Sequence, residues 1–352
     1  MSLPRPTLAL LLLVLSCSLV PAPAPATTTN RVDVACPVCL ASFTAPQLMS
    51  TNSFGGQDTD FMVRARGTQP LLVAPITCVA CGYSGYLDDF DRAGPPPAST
   101  TPPADDALKT AIRQEKRLQL PVPLPATDTF QAIPPWGRYD LIAQVYQLQN
   151  RDERTIARQW QNAAWAVRLD QEFFLHGLAD EQRAAMEKAL NAAFAARGAH
   201  GAEAFGGNQA MFEVDVADSL LASGPADPGT MLGAFFLLRM HGENTAARTA
   251  LDRLKPLLTP EQASAWETRF TADLERERSF QTKAAEGLAK AAEAADHPAE
   301  KAAIRYHAGE LYRRLEQWDK ARALFDQARS DPNLPDFVKG FLAFVEKRLP
   351  QS

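Results

Sequence analysis

Four of the five cysteines stand in two Cys-x-x-Cys pairs, Cys36/Cys39 and Cys78/Cys81, and this pattern constrains the fold more than any other feature of the chain. Two short knuckles that each present two thiolates can surround one metal ion tetrahedrally. The spacing predicts a small module stapled by one structural Zn²⁺, with Cys36, Cys39, Cys78 and Cys81 as its four ligands. It names no reaction. Two other readings share the pattern. Close pairs in an oxidising compartment could be disulfides, although a Cys-x-x-Cys disulfide closes a tight, strained ring. Thiol-redox catalysts set a single Cys-x-x-Cys at a helix start within a βαβ unit. The segments here are short, rich in Gly and Pro, and strand-like.

The fifth cysteine, Cys17, falls in a segment that reads as an address. One Arg, Arg5, precedes an apolar run over 7–15 that continues, broken by Ser16-Cys17-Ser18, to Val20. That is short for a membrane span, and Ala24-Pro25-Ala26 supplies a small-residue cleavage site. The expectation is an exported protein, periplasmic or secreted, with signal peptide 1–26. The alternative is a lipoprotein anchored through Cys17 after Val14-Leu15-Ser16. No later apolar run is long enough to span a membrane. Removing 1–26 takes away one base and no acid, which leaves 35 bases against 41 acids, a net charge of about −6. A nucleic-acid binder would show a basic face instead.

Along the chain, a strand over 32–35 leads into Cys36-Pro37-Val38-Cys39, and Phe43 is placed to pack beneath the metal. The stretch 50–57 reads as a loop, 61–65 as a strand and 71–77 as β-leaning before Cys78-Val79-Ala80-Cys81. Gly82 follows, where a positive φ lets the backbone turn toward the sulfurs. Tyr83, Tyr86 and Phe90 give the module apolar bulk. Pro-rich segments at 94–104 and 121–135 flank a helix expected over 105–118. From Tyr139 the periodicity is helical. The expected domains are therefore a zinc-ribbon-like module over 27–93, a Pro-rich linker with one helix over 94–136, and a helical-repeat domain over 137–352.

The clearest internal signal is 302–332. On the 34-residue tetratricopeptide pattern, Gly309, Tyr312, Ala321, Phe325 and Ala328 take the small and aromatic positions, and Pro332 ends the second helix. The usual first-helix Trp is replaced by Arg305. Residues 231–254 fit more loosely and 139–167 by period only. Such hairpins must stack to bury their apolar faces. The fold class is thus mainly α, with tetratricopeptide-like hairpins preceded by a small β zinc-ribbon-like module.

The run from Cys36 to Phe90 resembles a bacterial family known only as domain of unknown function 2225. The resemblance is carried by Cys36-Pro37-Val38-Cys39, Asp58-Thr59-Asp60-Phe61 and Cys78-Val79-Ala80-Cys81-Gly82-Tyr83. Arg138-Tyr139-Asp140-Leu141 and Ala163-Ala164-Trp165 look like that family's first helical hairpin. Leu40 and Val79 depart from the Gly and Pro that are common at their places. The resemblance implies an architecture and no activity.

Other constellations are weaker. The five histidines have no metal-ligand spacing and read as satisfied or solvent-facing singletons. Asp88-Asp89-Phe90-Asp91 reads as a solvated turn, and Asp58 and Asp60 as partners of the knuckle backbone. Gly55-Gly56 and Gly206-Gly207 lack the flanking pattern of a phosphate loop. The tryptophans read as core. No catalytic motif stands out. The expectation is a non-enzymatic scaffold or binding protein of the bacterial envelope whose helical groove takes a protein or peptide partner. The alternative is an envelope thiol-redox or metal-sensing protein using the two Cys-x-x-Cys pairs.

Overall fold

A computed structural model describes residues 27–92, 105–124, 133–198, 200–223 and 227–350. The expected signal peptide with Cys17, the first Pro-rich linker and most of the second lie outside the described residues.

Two small antiparallel sheets come first. Strand β1 (Thr28–Ala35) pairs with β2 (Ser42–Ser50) on one side and β5 (Asp91–Arg92) on the other; β3 (Ile76–Thr77) pairs with β4 (Ser84–Gly85). Between the sheets lies α1 (Pro70–Val73), a single helical turn. The expected β-leaning run 71–77 is therefore a helical turn followed by two strand residues, because Pro70 favours a helix start. The strand expected over 61–65 is absent. Only an isolated bridge joins Gln57 and Val63, and Phe61 sits at φ +69°, outside the strand region.

Helix α2 (Asp106–Arg113) starts where Asp105 accepts from the Leu108 N–H, and ends five residues earlier than the periodicity suggests. Then α3 (Pro135–Leu148) and α4 (Glu153–Leu169) form a hairpin, the latter capped by Asp152. Next come α5 (Glu172–His176), α6 (Asp180–Arg197), α7 (Gln209–Ser223), α8 (Pro228–Met240) and α9 (Asn244–Leu254). The long α10 (Pro260–Ala294) leads to α11 (Pro298–Arg314), α12 (Trp318–Ser330) and α13 (Asp336–Glu346). Thus the chain is mainly α, with a small β module at its start.

Helix α10 lies against α4 so closely that a Cβ on Gly287 would stand 2.8 Å from the Ala157 methyl. The α11/α12 hairpin has the tetratricopeptide contact that its spacing predicts: a Cβ on Gly309 would stand 2.8 Å from the Phe325 ring, and Ala321, Phe325 and Ala328 are buried. Phe325 stacks on Tyr306 at 5.8 Å.

The expected separation of the module from the helices does not hold in the packing. One apolar cluster joins Val34, Phe43, Tyr83 and Phe90 to Tyr139, Ile142 and Val167. Polar contacts reinforce it. Tyr86 Oη donates to Gln159 Oε1 at 2.7 Å, Tyr139 Oη to the Leu71 carbonyl at 3.0 Å, and Arg138 to the Pro75 carbonyl at 2.8 Å. The Pro-rich segments interrupt the chain, but the module still has an apolar face of its own to bury.

The hairpin makes a quantitative expectation. Phe325→Ala should destabilise by about 3–5 kcal/mol through the cavity it leaves, and Ala321→Leu by about 1–3 kcal/mol through overpacking. Gly309→Val should be worse than Gly309→Ala, since both press on Phe325. Urea unfolding of the full chain followed by far-UV circular dichroism checks this. Unchanged midpoints for all three sites would reject the repeat packing.

Candidate metal centre and the inserted acidic loop

Both knuckles are hairpin turns. The Cys36 N–H donates to the Ala41 carbonyl and the Leu40 N–H to the Cys36 carbonyl, each at 2.9 Å; the Cys78 and Gly82 N–H groups repeat this toward the Tyr83 and Cys78 carbonyls, each at 2.8 Å. Leu40 and Gly82 take equivalent places after the second cysteine, with φ of +65° and +80°. Gly82 adopts that conformation freely, whereas Leu40 is a strained left-handed leucine with its side chain 74 % exposed. The turns bring all four Sγ atoms within 4.8 Å of one another. Cys36 and Cys81 stand 3.7 Å apart, and Cys39 and Cys78 3.5 Å apart. A tetrahedral metal about 2.3 Å from each sulfur sets edges of about 3.8 Å, so the cluster could hold one metal ion.

Cys36 and Cys78 are buried, Cys39 and Cys81 half-buried, and none is in a disulfide. Hydrogen bonding among the sulfurs lowers the Cys78 thiol and raises those of Cys36 and Cys81. A cation among the sulfurs would take the place of the thiol protons. Beneath the site, Phe43, Phe90 and Tyr83 pack edge to face, at 5.6 and 5.4 Å between successive rings.

Asp58 and Asp60 are not partners of the knuckles. The loop over 51–69, between β2 and α1, carries them into the middle of the helical body, where both are buried. Asp58 takes a bidentate contact from Arg64, at 2.7 Å for the closest pair, and lies 2.6 Å from His241 Nδ1. Asp60 Oδ2 accepts from Arg168 Nη2 at 2.8 Å and from Trp165 Nε1 at 3.0 Å. Thr59 donates to Glu310 at 2.7 Å and accepts from Arg314 at 3.0 Å. Even the loop backbone is held: Gln161 donates to the Asp60 carbonyl at 2.9 Å, Tyr306 to the Thr59 carbonyl at 2.8 Å and Asn208 to the Gln57 carbonyl at 2.9 Å.

The network extends beyond the loop. Arg168 also reaches Glu277 at 3.1 Å, Arg239 pairs with Glu277, and Arg313 joins Glu243 to Glu310 at 2.7 and 2.6 Å. Asp58, Asp60, Glu243, Glu277 and Glu310 supply five buried carboxylates; Arg64, Arg168, Arg239, Arg313 and Arg314 supply five buried guanidiniums. His241 links this set to Glu213 through Nε2 at 2.9 Å. Burial alone would raise the carboxyls. Arg64 and His241 outweigh it and lower Asp58 to about 2; Arg168 and Arg314 hold Asp60 still lower, and Arg313 with Arg348 does the same for Glu243.

The sequence spacing therefore brings the four cysteines together, and the structure removes Asp58 and Asp60 from their surroundings. It also reveals what spacing did not single out: Arg168, Arg239, His241, Glu277, Glu310 and Arg314. A signal existed in Phe235-Phe236-Leu237-Leu238-Arg239, a charge inside an apolar helix, and in the paired Arg313-Arg314 at the end of α11.

The profile of a family described as "Uncharacterized protein conserved in bacteria (DUF2225)" matches residues 30–201. The match covers just under half of the chain. The DUF2225 region contains both knuckles, the inserted loop and Trp165 and Arg168, whereas Arg239, Glu277, Glu310 and Arg314 lie beyond it. No curated protein and no solved structure matches the chain.

Asp60→Ala should cost about 3–5 kcal/mol, because it leaves Arg168 and Arg314 buried with a missing partner. The exposed Glu181→Ala should change stability by less than about 0.5 kcal/mol. The lowered carboxyls also set a pH dependence. Their stabilisation is complete above the unfolded carboxylate range near 4 and is lost as pH falls from about 4 toward 2. Denaturant midpoints across that interval should drop steeply and depend little on salt, since the pairs are buried. A flat profile down to pH 2 would contradict the network.

Proposed function

We propose that this is a non-enzymatic binding protein of the bacterial envelope, with a structural Zn²⁺ in the module and a helical body that receives a protein or peptide partner. The observation that carries this reading is the set of four sulfurs. Four thiolates fill every position of a tetrahedral ion, which leaves no place for water or substrate, the arrangement of structural sites and not of catalytic zinc. The donor set also suits iron, and sulfur separations of 3.5 and 3.7 Å suit one ion and not a multi-iron cluster. No single side chain is offered as a catalytic group. The address rests on 1–26, with export to the periplasm or beyond, or a lipid anchor at Cys17.

A second reading has one observation in its favour. The half-buried Cys39 and Cys81 border a surface cavity of about 440 Å³ that is also lined by Arg113, Lys116 and Leu120. Access of this kind would suit a thiol-redox or metal-sensing protein.

Metal analysis and a thiol count on chain exported in its native compartment separate the two. The structural reading expects one zinc per chain and four thiols that react only after a chelator removes the metal. Chelation should also unfold the module. No metal with a reversible disulfide would favour the redox reading instead. The intact mass of the same material decides the address. A start near Thr27 supports simple cleavage, a lipidated Cys17 supports the anchor, and an unprocessed Met1 rejects export. The binding reading falls if tagged chain captures nothing from envelope extract above a control without bait.

A further inference from the structure

A cavity of about 290 Å³ lies where α4, α10, α11 and the tip of the acidic loop meet, remote from the cysteines in sequence and in lining. That size is at the lower end of small-molecule sites. Its α4 wall is a single stripe, Arg154, Arg158, Gln161 and Trp165, spaced four, three and four residues apart and hence on one helix face. The facing wall is His307 of α11 with aliphatic side chains of α10 and α11, and Phe61 closes one side.

The charges differ in availability. Arg154 is paired with Glu300. Arg158 is exposed and forms no ion pair with any described residue. His307 adds no charge at neutral pH: burial pushes it down to about 4, outweighing the carboxylates of Asp60 and Glu310. The cavity thus offers one uncompensated positive charge, which suits a monoanion better than a phosphate dianion. Deeper in, Asn162 is 8 % exposed, yet its amide nitrogen reaches only long partners, Tyr86 Oη at 3.4 Å and Gln159 Oε1 at 3.5 Å. A buried donor held so loosely leaves a polar ligand atom something to bind. The remaining surface, Phe61, Trp165 and the aliphatic wall, is apolar.

We infer that this cavity binds a carboxylate carried close to an apolar group, with the carboxylate on Arg158 and the apolar part between Phe61 and Trp165. The inference rests on the reading of the chain as a binding protein and deepens it. The same chemistry occurs in a free carboxylic acid and in the last residue of a peptide.

Calorimetry on the full chain distinguishes these with four probes: N-acetyl-leucine, N-acetyl-leucinamide, a decapeptide ending in a free Leu carboxylate, and its C-terminal amide. Each free acid should bind at least about tenfold more tightly than its amide, and Arg158→Ala should weaken the acids by about tenfold while leaving both amides unchanged. Because Arg158 is exposed, that variant should keep the parental melting temperature. Tighter binding of the decapeptide than of N-acetyl-leucine assigns the site to peptide ends; binding of N-acetyl-leucine alone assigns it to free acids. Inorganic phosphate should not compete. Equal binding of acid and amide, indifference to Arg158→Ala, or no binding of any probe to about 10 mM would overturn the inference. If the chain and Arg158→Ala then capture the same envelope partner, the binding reading stands and only this site is lost.

Discussion

Two carboxylates delivered by one loop make the helical assembly affordable in electrostatic terms. Arg168 is 0 % exposed, and Arg314 and Arg239 are buried beside it. Taking a guanidinium out of water costs several kcal/mol unless opposite charge and hydrogen bonds meet it inside. Helices α4, α8 and α11 turn Arg168, Arg239, Arg313 and Arg314 inward, and Glu243, Glu277 and Glu310 set only three carboxylates against these four. Asp58 and Asp60 complete the balance. The loop that carries them runs from β2 to α1, both of which belong to the β module. The helical body is therefore incomplete without a segment held at its two ends by the module.

This arrangement connects the cysteine cluster to the repeats through a chain of contacts. The knuckles fix the hairpins; the hairpins and α1 fix the ends of the loop; the loop meets the guanidiniums. A second route runs alongside it, since Arg138 and Tyr139 hold the backbone at Leu71 and Pro75. The motif residues by which the chain resembles the DUF2225 family thus meet in space. Asp60 touches Trp165, and the Arg138-Tyr139 pair grips the turn just before Cys78. A groove open along the whole inner face of the helices is not what the geometry offers, because residues 57–64 occupy its centre. The cavity beside Phe61 opens at its edge.

Local pattern revealed the elements whose chemistry is local. Cysteine spacing gave the four-sulfur cluster, and the small and aromatic positions of 302–332 gave the α11/α12 contact, because in both cases the partners lie within a few tens of residues. The destination of Asp58 and Asp60 was not legible in that way. Their partners Arg168 and Arg314 are more than a hundred residues away, and a charged residue on a helix normally marks a solvated face. The same long-range demand explains the missing strand. Phe61 is aromatic and favours extended structure, but its N–H closes a turn onto the Asp58 carbonyl at 2.8 Å and its ring lies among Tyr306, His307 and Phe341. Tertiary contacts overrode the propensity.

An apolar loop of the same length could also fill the centre of the helices, and replacing buried ion pairs with apolar residues often leaves stability unchanged or raised. The charged version does something an apolar plug would not. Asp58 and Asp60 lie two residues apart, with Thr59 between them hydrogen-bonded to Glu310 and Arg314. A slip of one residue would set Thr59 before His241 and Phe61 before Arg168 and Arg314, and take from each of these guanidiniums one of its buried counter-ions, at a cost of several kcal/mol. An aliphatic loop could slide by one residue for much less. The network therefore fixes the register of the loop, and with it the place of Phe61, a wall of the cavity where α4 presents an unpaired cation. Electrostatic balance in the core determines the shape of the pocket at the surface.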